Sequence, residues 1–205
     1  MVKTGVKPSA SSKILAAAKR VFIRKGLTGA RMQDIADEAG MNKALLHYYF
    51  RNKESLFEQV FLEAAQHLIP RVHEVLNADL PLLEKIRSFC ELYIDMVMEN
   101  PQLPMFVLNE IHQDPELFLK KVLKGRPKPT AHRFLEQLRE EIKNGNIREV
   151  QPAQLLLHLV SLTIFPVLAK PMLQRTLDLT DAQYWAMIAQ RKQEIPDFIL
   201  QSLRP

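Results

Sequence analysis

The sequence predicts an all-α protein in two parts, a basic three-helix head and a larger helical body. Three observations carry that expectation. Apolar residues recur at helical spacing along the chain, with no sustained period-2 alternation and no Asn-Gly hairpin between β-branched runs. Glycine and proline fall where helices have to start or stop. The charge is also divided: residues 1–53 hold 11 Lys+Arg against 3 Asp+Glu, and the remainder holds 17 against 20. The net +5 is therefore a head of +8 on a body of −3, which sets the expected domains at 1–53 and 54–205.

A chain of 205 residues, 47% hydrophobic and 25% charged, has the composition of an ordinary globular protein with one sizeable core. The single cysteine, Cys90, excludes an intramolecular disulfide and suits a reducing cytoplasm. The opening MVKTGVKPSASSK has no apolar core of a signal peptide. The most apolar run, Leu155 to Ala169, is broken by His158, Ser161, Thr163 and Pro166. It falls short of the roughly 18 apolar residues of a spanning helix, so no membrane span and a cytoplasmic location are expected. A basic head suggests a polyanion, nucleic acid or an anionic membrane, and charge alone does not choose.

The helices follow in order. Ile14, Leu15, Ala18, Val21 and Phe22 form one stripe, with Gly26 as a left-handed stop. Met32, Ile35, Ala36 and Ala39 form a second stripe, ended by Gly40. A short third helix spans about Asn42 to Phe50. Asn52 is placed to cap a long fourth helix reaching Pro70 or beyond. Pro81 opens a helix ending near Asn100-Pro101. Asp114-Pro115-Glu116 has the order cap, N1 proline and first-turn acid. Gly125 to Pro129 reads as a break, and another helix runs from about Thr130 to Asn144. Pro152 starts the apolar helix, which Pro166 and Pro171 must kink or end. Thr180 with Gln183 forms a capping box for the last helix.

Met32 to Phe50 has the pattern of a helix-turn-helix. Two helices crossing steeply need a small residue at the crossing and a glycine at the turn, here Ala36 and Gly40. Ile35, Ala39, Met41, Leu46 and Tyr49 form the inner face, and Lys43, Ala44, His47 and Tyr48 face away. That outer face is short, basic and aromatic, as a helix laid in a major groove requires. The geometry also fits a plain helical hairpin with solvated Lys43 and His47. The basic excess in this region, low Ala44, and Arg51 and Lys53 at the next helix start favour the DNA reading.

The segment MQDIADEAGMNKALLHYYFRNKESLF, Met32 to Phe57, resembles the DNA-binding segment of the tetracycline-repressor (TetR) family, which typically reads DIAxxAGVSKGTLYHYFxSKExL. Asp34-Ile35-Ala36, Ala39-Gly40, Lys43, Leu46, Tyr49-Phe50 and Lys53-Glu54-Leu56 stand where the family has them, and the resemblance covers about residues 10–60. Ala44-Leu45 replaces the usual Gly-Thr, His47-Tyr48 reverses Tyr-His, Asn42 replaces a capping Ser, and Arg31 stands where a capping Ser or Thr is frequent. The resemblance implies a bacterial homodimer binding a palindromic double-stranded operator, by default a repressor. Arg31 and Gln33 would meet phosphate or a base edge. Asn42, Lys43, Ala44, Leu45, His47 and Tyr48 would line the recognition helix. Tyr49 and Lys53 would reach phosphates, although the spacing of Tyr49 also allows a core position.

The body shows no catalytic constellation, so no enzyme and no cofactor is expected. Cys90 has no histidine at nucleophile–base spacing and reads as a small buried hydrophobe. Glu63 and His67 at i,i+4 lack further ligands, so no metal is expected. In the family the body is a ligand-binding and dimerisation bundle responding to a small-molecule effector. Phe89, Tyr93, Met96, Met105, Phe106, His158 and Phe165 could line an apolar pocket, with ordinary core packing as the alternative. Leu155, Leu159, Leu162, Tyr184, Trp185 and Ile188 offer more apolar surface than one exposed face, which a dimer would cover. A peripheral membrane protein would need an exposed apolar face beside the basic residues, whereas the first stripe is required for its own core.

Overall fold

The computed structural model describes residues 9–125 and 129–205. The opening residues 1–8 and the middle of the Gly125–Pro129 break lie outside the described residues. Among the described residues the chain forms eleven helices and no strand, in accord with the all-α expectation. They are α1 (Ala10–Gly29), α2 (Met32–Ala39), α3 (Lys43–Tyr49), α4 (Lys53–Asn77), α5 (Leu82–Glu99), α6 (Leu103–Gln113), α7 (Pro115–Leu123), α8 (His132–Lys143), α9 (Pro152–Leu168), α10 (Lys170–Thr176) and α11 (Asp181–Ser202). The chain divides into two compact units between Ala64 and Ala65, inside α4. The packing division falls later than the charge division near residue 53. Leu56, Val60 and Phe61 on the first turns of α4 are buried, and Phe57 stacks edge-on to Phe22 with centroids 5.0 Å apart.

The first unit is small. α1 buries Ile14, Ala17, Ala18, Val21 and Phe22 and packs on α2, which buries Ile35 and Ala36. Gly26 lies within α1 at φ 65° and ψ 177°, a region open essentially to glycine alone. The left-handed stop expected there is thus an extended break, after which the chain makes one more turn.

In the second unit α5 packs chiefly on α11 and also on α8 and α9. Their buried residues, including Ile86, Phe89, Cys90, Ile94, Phe134, Leu138, Leu159, Tyr184 and Ile188, form one apolar cluster. Burial pushes the Cys90 thiol up to about 12, so it behaves as the inert hydrophobe expected of it. The expected caps form: Asp114 Oδ1 accepts from Leu117 N–H at 2.9 Å, and Thr180 and Gln183 make the reciprocal box at the start of α11. α6, opened by Leu103-Pro104, has no counterpart among the helices read from sequence.

Pro166 remains inside α9, and the bend comes at Ala169, where α9 and α10 meet at 78°. A proline at 166 leaves the carbonyl of Leu162 without its helical donor. Arg191 of α11 fills the gap, its Nη2 donating to that carbonyl at 3.0 Å, while Tyr184 Oη donates to the Pro166 carbonyl at 2.7 Å. No single described helix is long and apolar enough to cross a membrane, although α9 and α10 together pass by length and composition.

This packing corrects the expected dimer residues. Leu155, Leu159, Tyr184 and Ile188 are at most 5% exposed within the single chain, so they cannot also meet a partner. Leu162 and Trp185 are half-buried. The apolar side chains left outside on these helices are Leu157 and Phe165 of α9 and Phe198 of α11, with Met172 of α10 beside them in sequence.

Candidate nucleic-acid interface

The turn between α2 and α3 rests on Gly40, at φ 65° and ψ 36°. Its N–H and that of Met41 return to carbonyls of the last turn of α2, Met41 N to Ala36 O at 3.0 Å. This is the left-handed helix end that a non-glycine residue adopts only with strain. Asn42 then caps α3, its Oδ1 accepting from Leu45 N–H at 2.7 Å. Arg31 carries no acceptor, so α2 keeps only the returning half of a capping box. There the Asp34 carboxylate accepts from Arg31 N–H at 3.1 Å.

α3 is anchored by one side chain. Leu46 is fully buried, while Lys43, Ala44, Leu45, His47, Tyr48 and Tyr49 are all exposed. Tyr48 is 83% exposed and Tyr49 43%, and their rings meet edge to face at 5.4 Å. Of the two positions open to Tyr49, the outer one is occupied. The carbonyl of Arg51 can only accept, so in the 3.3 Å contact with His47 the ring Nδ1 is the donor. Arg31, Gln33 and Asn42 are also exposed, with Gln33 Nε2 donating to Asp37 Oδ1 at 2.7 Å. Of the ten residues expected to meet DNA, Lys53 alone is half-buried. Its Nζ donates to the carbonyls of Leu27 at 3.0 Å and of Thr28 and Ala30 at 3.4 Å.

The frame behind this face is an ionic clamp that no sequence motif announced. Glu38 of α2 receives Arg20 Nε and Arg24 Nη2, both at 2.6 Å, and Asp34 pairs with Lys25 at 2.9 Å. Arg24 and then Arg20 hold the Glu38 carboxyl below its ordinary range, and Lys25 does the same for Asp34. The i,i+4 spacing of Arg20 and Arg24 on α1 was the only available signal. The clamp consumes three of the basic charges of the head. Lys43 and Arg51 stay exposed with no ion pair among the described residues.

In the second unit the candidate effector residues do not gather. Phe89 is buried and stacks on Tyr93 at 5.8 Å, and Met96 Sδ accepts from Nδ2 of Asn100, the residue that ends α5. Phe106 turns instead to Phe118 of α7, 6.3 Å away. Met105 and Phe165 are about half exposed and His158 is exposed, so these three do not line an interior pocket. The two described clefts have other linings, one between the α4–α5 turn and α8 and one along α10. No cluster of three or more metal-ligating side chains occurs among the described residues.

Residues 14–60 match the family model of bacterial regulatory proteins, tetR family. The transcriptional activator FasR of Mycolicibacterium smegmatis is 29% identical over 89 residues, which span 43% of this chain and 41% of FasR. The transcriptional repressor KstR2 of the same organism is 23% identical over 140 residues, 68% of each chain. The crystal structure of HlyIIR, a hemolysin II transcriptional regulator, aligns with a TM-score of 0.56 at 22% identity, covering 96% of this chain and 97% of HlyIIR. At that identity the likeness is one of fold.

Proposed function

Because this chain belongs to the TetR family of transcriptional regulators, we propose that it binds a two-fold symmetric DNA operator as a homodimer and acts as a repressor released by a small ligand. The observation that carries the DNA reading is the single-point anchoring of α3. One buried leucine fixes the helix, and every other side chain on it is free to enter a major groove. Tyr48 and Gln33 are the base-reading candidates. Lys43, Arg31, Tyr49 and Arg51 would meet phosphates, while Lys53 would set the spacing of the elements that carry them.

One seven-residue helix reads too few base pairs to find a site in a genome. A dimer with two heads reads a palindrome, which makes association part of recognition. The exposed Leu157, Phe165 and Phe198 support an interface on the outer faces of α9 and α11. Repression follows the name of KstR2, whereas FasR is named an activator. An apolar or amphipathic effector can release DNA only by binding the DNA-incompetent state more tightly than the competent one.

Binding of the full chain to a selected operator and to random DNA, measured against salt, tests this reading. A steep fall of affinity with salt on both, with a preserved preference for the operator, is expected. Equal affinity for the two would contradict it.

A further inference from the structure

α3 reads KALLHYY from Lys43 to Tyr49. At about 100° per residue, Ala44 and Tyr48 stand opposite the buried Leu46. Leu45 lies on one flank with Tyr48 and Tyr49 three and four residues on, while Lys43 and His47 share the other flank. The exposed surface of the helix thus has an apolar, aromatic side and a polar side. Leu45 is 38% exposed, and its N–H is held by the Asn42 cap at 2.7 Å. Leu46 already anchors α3, so the fold gains little from a second leucine turned outward.

The base contacts that discriminate through paired hydrogen bonds use forked side chains, arginine on guanine and asparagine or glutamine on adenine. α3 contains none of these. Asn42 before it has its side-chain oxygen committed to the cap, and Gln33 of α2 spends Nε2 on Asp37. Lys43, which could serve a guanine, lies on the flank away from Leu45. An apolar side chain in the major groove has one complementary feature to meet, the C5 methyl of thymine. Ala44 beside it keeps the surface low enough for close approach. Lys43 and Arg51, both exposed, place cationic groups around that apolar surface, as flanking phosphates require. Where the family pattern has Gly-Thr this chain has Ala44-Leu45, so a hydroxyl able to hydrogen-bond gives way to a side chain that cannot.

We propose that Leu45, with Ala44 beside it, reads the C5 methyl of a thymine, so that each operator half-site carries a thymine facing them. The inference rests on the DNA-binding reading of α3 and adds the base it selects and the force that selects it, burial of a methyl group.

The operator selected by the wild-type chain is resynthesised with deoxyuridine in place of each thymine in turn, in both half-sites together. Deoxyuridine pairs as thymine does and lacks only the methyl. At one thymine of the half-site, wild-type affinity should fall roughly fourfold for each methyl lost, and so about 15-fold for the pair. Leu45→Ala and Leu45→Gln, both at an exposed residue, should bind the thymine and deoxyuridine operators alike and keep wild-type affinity for random DNA. Should one of the two fail to fold, the other gives the same reading. A selected operator in which no thymine methyl affects wild-type binding overturns the proposal. So does a deoxyuridine loss that is as large in the variants as in the wild type. Variants weakened equally on operator and random DNA overturn it as well, because Leu45 would then support the helix rather than read a base. A wild-type chain that enriches no operator would instead remove the DNA-binding reading itself, and this inference with it.

Discussion

Lys53 Nζ donates to the carbonyl of Leu27 at 3.0 Å, joining the first residue of α4 to the last turn of α1, which follows Gly26. The ammonium also reaches the carbonyls of Thr28 and Ala30, and so gathers three backbone acceptors at the ragged end of α1. A lysine expected at a phosphate therefore holds together the base on which α2 and α3 stand. Lys53→Ala should lower the stability of the head by ~1.5–3 kcal/mol, the range for hydrogen bonds to a charged group. Thermal unfolding measures this. The slope of log affinity against log salt should stay unchanged, whereas loss of a phosphate contact would reduce it by about one.

Tyr48 stands out from α3 with nothing but Tyr49 beside it. Tyr48→Ala should leave the melting temperature unchanged and relax discrimination at one position in each half-site, by about 1–3 kcal/mol. Selection from a randomised operator reads the preference directly. Leu46→Ala should behave in the opposite way, costing ~2–5 kcal/mol of stability because it empties the one buried anchor of the helix.

The clamp on Glu38 and Asp34 predicts a pH dependence. Both carboxyls are held below their ordinary range by basic residues of α1. A carboxyl depressed in the folded state contributes fully above its unfolded pKa, and the contribution is lost as pH falls through the folded value. The clamp should hold at neutral pH and loosen only below the ordinary carboxylate range. Melting temperatures of wild type and of Asp34→Asn with Glu38→Gln should differ at pH 7 and converge in acid. Because both carboxylates are solvent-accessible, high salt should narrow the difference at pH 7.

The outer faces of α9 and α11 carry the association prediction. Phe198→Glu, at a residue 64% exposed, should yield a folded monomer in sedimentation and abolish specific operator binding. Weak salt-sensitive binding by single heads should remain. Ile188→Glu, at a residue 1% exposed, should instead unfold the body, since it buries an unpaired charge.

The head was legible because its signals are local. Gly40 takes the left-handed turn and Asn42 caps α3, each within four residues of the group it serves, and Leu46 takes the buried position of a short helix whose other side chains are exposed. Thr180 and Gln183 were legible for the same reason. Ile188 and Tyr184 were not, because an apolar stripe on α11 looks the same whether α5 and α9 or a second subunit covers it. The backbone bonds of Lys53 were not legible, because its acceptors lie 23 to 26 residues away and present only backbone oxygen. α6 had no counterpart because the stop near Asn100-Pro101 was the last signal read before Asp114, whereas Pro104 opens a further helix.

The central claim is that α3 reads DNA, and one measurement tests it most directly. Full-length wild-type protein and Tyr48→Ala are each used to select sites from a pool of randomised duplexes. The wild type should enrich a single two-fold symmetric motif, and Tyr48→Ala should enrich the same motif with one position per half-site degenerate. Enrichment of no motif, or of one identical motif by both proteins, would contradict the assignment of α3 as the reading helix.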